Sequence, residues 1–139
     1  MAHIQLLARI EKMNEGDQIT TDELIENWES VFKFYDNLIE NGFKLQPIRL
    51  LIRYIIDKGY SKKYFGGTSF YTLLISIPTD RQINYTKTLQ IKFDELTQTV
   101  SFNYKDKSRN IKNLEWSIEC QATEIIDTFE HFLNKNWTK

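Results

Sequence analysis

One cysteine, two histidines, two prolines and five glycines in 139 residues leave little material for several kinds of chemistry. With Cys120 alone, an internal disulfide is excluded and a reducing compartment fits. Neither a Cys/His ligand spacing, nor H-E-x-x-H, nor a calcium-loop pattern is present, so no metal and no cofactor is expected. The one glycine pair, Gly66-Gly67-Thr68-Ser69, lacks the lysine and spacing of a phosphate loop and reads as a flexible turn. No serine sits in a G-x-S-x-G elbow. Cys120 and His131 are the only nucleophile and base worth pairing, and Cys120 falls on the apolar side of its segment, where a thiol behaves as a small hydrophobe. No catalytic residue is assigned.

Long apolar runs are missing too. A membrane span needs roughly 18 such residues, and the best stretch, Leu50 to Ile56, is interrupted by Arg53. The first residues lack the charged, apolar, small-residue order of a secretory signal. A cytoplasmic protein without membrane contact is the expectation.

What is present is a chain of ordinary composition, 41% hydrophobic and 27% charged, with a high aromatic share of 14%. Its length suits a single domain burying roughly two-thirds of its unfolded surface. The net charge of −1 hides a segregation: −6 over 1–42, +8 over 43–112 and −3 over 113–139.

The stretch 66–120 reads as an antiparallel meander. Strands are expected at Phe70–Ile77, Thr88–Phe93 and Thr99–Tyr104. Leu89, Ile91 and Phe93 alternate with Gln90 and Lys92; Val100, Phe102 and Tyr104 alternate with Ser101 and Asn103. Period-two alternation means one buried and one wet face, and Asp94–Gln98 has hairpin-loop length. A fourth strand follows from Leu114, Trp116, Ile118 and Cys120, although Leu114 and Ile118 would also suit a helix.

Helices flank this meander. His3–Met13 is amphipathic. Thr20 and Glu23 form a capping box, with Ile19 and Leu24 as its staple, ahead of a helix ending at Asn41-Gly42. A third helix opens with Pro47 and runs to about Lys58, apolar nearly all round and therefore expected to be covered. The last spans about Gln121 to Asn136. The fold class is thus α+β: a four-stranded antiparallel meander packed on one face, in two layers, by three N-terminal helices and one C-terminal helix. As a single domain 1–139, it divides into a helical part (1–65), the sheet (66–120) and a closing helix (121–136).

Two surface features could meet a partner. Asp22, Glu26, Glu29, Asp36 and Glu40 share one face of the second helix, where like charges would steer a basic partner. Together with the surplus of Tyr and Trp, favoured at interface hot spots, this face suggests a small non-enzymatic protein-binding module. An inhibitor or immunity-type protein would be of this kind, with Tyr85 and Trp137 as aromatic anchors. The alternative is a small-ligand or enzymatic pocket between sheet and helices, with Thr72 and Ser76 as its polar groups. A further alternative uses the basic-aromatic set Arg49, Arg53, Lys58, Tyr60, Lys62, Lys63, Tyr64 and Phe65 to bind nucleic acid, against which a pI near 6.1 argues. No pattern sets an oligomeric state, and Lys87 and Lys92 would discourage pairing at a sheet edge.

Overall fold

A computed structural model describes residues 19–78, 83–106 and 114–137, with the backbone alone at 83–86 and 114–115. The amphipathic stretch His3–Met13 lies outside the described residues. The chain is α+β, a five-stranded antiparallel sheet with helices.

Helix α1 (Thr21–Glu40) begins where the local chemistry requires. The Thr20 hydroxyl accepts from the Glu23 amide at 3.1 Å, and a Glu23 carboxylate oxygen accepts from the Thr20 amide at 3.3 Å, so two otherwise orphaned donors are satisfied reciprocally. It ends at Asn41, with Gly42 at φ +98°, open to glycine without strain. Helix α2 (Gln46–Asp57) carries Pro47 in its first turn, where no N–H is needed. Its covering is narrower than its composition suggests. Ile48, Leu51, Ile52 and Ile55 are buried, but Leu50 is 53% exposed and Arg53 faces solvent. A single turn, Tyr60–Lys62, leads into the sheet.

The strands are β1 (Phe65–Ser69), β2 (Thr72–Pro78), β3 (Ile83–Asp94), β4 (Thr99–Asp106) and β5 (Leu114–Gln121), ordered β1-β2-β3-β4-β5. The register pairs Leu89 with Tyr104, Ile91 with Phe102 and Phe93 with Val100. All six side chains are buried on the helix-facing side, as their alternation requires. Residues 114–121 form a strand, settling the choice between strand and helix: Trp116, Ile118 and Cys120 oppose Tyr104, Phe102 and Val100 on that same face.

The count of four strands is corrected to five by the glycine pair. Gly66-Gly67 is no turn but the middle of β1, and the turn falls at Phe70-Tyr71, inside what the apolar pattern assigns to a strand. Gly66 pairs with Ile75 on the helix side, and a Cβ there would lie 3.0 Å from the Trp28 ring. Glycine is depleted in strands except where another group must come this close. The approach is locked by Asn27, wholly buried on α1, whose amide nitrogen donates to the Gly66 carbonyl and whose oxygen accepts from the Gly66 N–H, both at 2.8 Å. A side-chain amide thereby occupies the free edge of β1 as a neighbouring strand would. The Trp28 indole adds a 2.7 Å bond to the Tyr64 carbonyl. With β1 at the border, β3 is the central strand, so Lys87 and Lys92 do not guard an edge.

Helix α3 (Ile125–Phe132), entered through a tight turn at Ala122–Glu124 and continued by a π-helical turn at Leu133–Trp137, closes the core. The aromatic surplus concentrates there. Phe132 meets Tyr104 at 5.0 Å, Trp116 at 5.2 Å and Trp137 at 4.9 Å between ring centroids, while Trp137 also stacks on Tyr64 at 5.0 Å. Each such pair adds about 0.5–1.5 kcal/mol beyond area burial.

Candidate functional site

The meander's connections place the β1–β2 turn, the β3–β4 hairpin loop and the junction after β5 at one end of the sheet, opposite the aromatic cluster. The bond from the Ala122 N–H to the Gln98 carbonyl, 3.0 Å, ties two of them together. The α1–α2 loop reaches the same end, where the Phe43 ring lies 4.9 Å from that of Tyr71. At this end sit the most exposed apolar side chains of the described residues: Phe70 at 92% and Leu96 at 94%, with Phe43 and Tyr71 beside Phe70 also exposed. A depression of about 460 Å³ runs between Phe43, Leu45, Phe70, Tyr71 and Phe93, bordered by Lys44, Lys92 and Glu95. The rim is of mixed charge, with Lys44 and Glu95 3.9 Å apart and both solvated.

Phe70 is held against its own preference. The pairing of Ser69 with Thr72 leaves a two-residue turn, and its first position has φ +55°. Such turns favour Gly or Asn there because a Cβ crowds the backbone in the left-handed region. A bulky ring that is strained and almost fully in water gains nothing for the fold by being there.

The acidic side chains of α1 are distributed along its outer face, with Asp22, Glu26, Glu29 and Glu40 exposed. Asp36 is the exception: its carboxylate accepts from the Arg49 guanidinium at 2.6 Å, which joins α1 to α2. The basic-aromatic set is not brought together as a surface. Arg49 is taken up by Asp36, Arg53 lies 4.6 Å above the Phe32 ring and Lys58 5.8 Å from the Tyr54 ring. Lys62 and Lys63 are exposed, but Tyr64 and Phe65 are buried, and the Tyr60 hydroxyl donates to the Glu130 carboxylate at 2.5 Å. None of the three rings in this set is exposed.

Of the two rings named as anchors, Trp137 is half-buried in the aromatic cluster, its indole N–H enclosed beside Tyr104. The Tyr85 side chain lies outside the described residues. Thr72 and Ser76 sit on the sheet face away from the described helices, opposite in parity to Leu73 and Ile75, and the Ser76 hydroxyl bonds that of Thr88 at 2.8 Å. They do not line the space between the sheet and the described helices. Cys120 is half-buried; burial pushes its thiol above the ordinary value, a hydrogen bond with Thr128 offsets part of this, and Glu124 and Glu119 add to it. A reactive thiolate is disfavoured in that setting.

Sequence reasoning missed the hairpin-tip end because Phe70 and Tyr71 continue the apolar run of β2. The available signal was geometric: once Gly66-Gly67 is a strand, the chain must reverse at Phe70-Tyr71.

Among the described residues no group of His, Cys, Asp or Glu could hold a metal ion, and no helix is long and apolar enough to cross a membrane. No protein-family model matches the chain, and no curated protein or solved structure is significantly similar to it.

Proposed function

We propose that the protein is a binding module for another protein, docking through the end of the sheet formed by Phe70-Tyr71, the Glu95–Gln98 loop and Phe43. The single observation that carries this is Phe70, strained in the left-handed region and 92% exposed. Exposed apolar clusters with a charged rim are a mark of interaction sites, and aromatic side chains dominate hot spots. The ring of Phe70 is the anchor, with Leu96 and the Phe43–Tyr71 pair as its surround. The complementary partner carries an apolar pocket within a basic surface, since the exposed Asp22, Glu26, Glu29 and Glu40 lead along α1 toward this end and would accelerate its encounter.

The test is capture of a partner from the native host followed by affinity measurement with the wild type and a Phe70→Ser/Leu96→Ser variant. Both residues are more than nine-tenths exposed, so the variant keeps its fold. Loss of a hot-spot pair weakens binding by about 2 kcal/mol or more, roughly thirtyfold. Equal affinity of the two proteins would refute the docking surface.

A further inference from the structure

A second concavity lies on the flank of the molecule and reaches the hairpin-tip end only at the turn that follows β5. It is a groove of about 640 Å³, open on its outer side, between the outer face of α2 and the turn that follows β5. Its walls are Phe32, Pro47, Leu50 and Ala122, with Arg49 and Arg53 along one border. Leu50 is 53% exposed at the mouth, where its side chain is open to an apolar ligand. The two guanidiniums differ. Arg49 is neutralised by Asp36 at 2.6 Å, whereas no carboxylate among the described residues pairs with Arg53, which rests 4.6 Å above the Phe32 ring.

From this geometry we infer that the groove binds a small amphipathic carboxylate, with its acyl or aryl body along Phe32, Leu50 and Ala122 and its carboxylate on Arg53. The volume falls in the range of about 300–1,000 Å³ typical of small-ligand sites. Charge complementarity selects the ligand class: among the described residues the groove holds one unneutralised cation and no unpaired acid. A guanidinium offers parallel N–H donors to a carboxylate, and its contact with the Phe32 face holds the head in place before binding. A cationic amphiphile would meet Arg53 with like charge, and a neutral one would leave the charge-assisted hydrogen bond unmade.

The experiment is a nuclear magnetic resonance titration of the full chain with decanoate below its micelle concentration, alongside decanol and decyltrimethylammonium. Decanoate is expected to shift the amides of 46–53 and 122–123 selectively and to bind about tenfold more tightly than decanol, the ratio for one charge-assisted hydrogen bond. Arg53→Gln should erase that preference, and Leu50→Glu, at an exposed position, should abolish decanoate binding with the remaining spectrum unchanged. No binding, shifts centred on other residues, or equal binding by Arg53→Gln would overturn the assignment. The hairpin-tip variant Phe70→Ser/Leu96→Ser should bind decanoate as the wild type does, so the outcome is separable from the protein-docking reading.

Discussion

Replacing Phe70 by Asn should stabilise the protein and, with the proposed docking surface, weaken attachment to a partner. The left-handed conformation costs a residue with an ordinary side chain roughly 1–2 kcal/mol, and Asn is among the few that relieve much of this through its short polar side chain. Against that gain stands the burial lost with the ring. Phe70 is 92% exposed, so less than a tenth of its surface is covered. Of the roughly 200 Å² that an aromatic side chain can bury, that fraction is worth about 0.4 kcal/mol at 25 cal/mol per Å². Strain relief of about 1 kcal/mol exceeds it, leaving a net stabilisation of about 0.6 kcal/mol. For a chain of this size that is a rise in Tm of about 2 °C, or in urea a midpoint shift of about 0.3 M. Urea unfolding followed by tryptophan fluorescence is the assay, since the Trp28 ring is wholly buried on Gly66 and reports global unfolding. A loss of 1 kcal/mol or more in Phe70→Asn would mean that the ring is packed in the folded protein and that strain at this position is not the larger effect.

Asn27→Ala should destabilise by about 3 kcal/mol, because it strips both partners from Gly66 at a buried site, and a urea midpoint close to wild type would disprove that role. Stability should also fall as the pH rises past 10. The Tyr60 phenol is held up by its hydrogen bond to Glu130 and by burial, and Tyr35, Tyr54, Tyr64 and Tyr104 are raised chiefly by burial. Below pH 10 these groups are protonated in both states; above it the unfolded chain releases protons that the folded chain retains, so the slope of stability with pH is negative there. Urea midpoints that stay constant between neutral pH and about pH 11 would contradict this. Cys120 should alkylate with iodoacetamide more slowly than free cysteine at neutral pH, with its rate rising only above the ordinary thiol range, and a fast reaction would show the strand face to be more open than described.

Much of the architecture was readable because it depends on short-range pattern. The capping box at Thr20 and Glu23 needs only four residues to form, and it marks the start of α1. Alternation along 89–93 and 100–104 places six side chains inward because a strand repeats every two residues whatever surrounds it. What eluded the pattern was decided by contacts far apart in the chain. Gly66 is a strand residue because Trp28 and Asn27, nearly forty positions earlier, occupy the space beside it, and no local propensity encodes that approach. Phe70 and Trp137 illustrate the same limit from opposite directions. Both are large apolar rings near segment ends, yet one is left in water by a two-residue reversal while the other is drawn among Tyr64, Tyr104 and Phe132 by the closing turn. Periodicity reports which residues share a face; whether that face is covered is settled only when the elements meet.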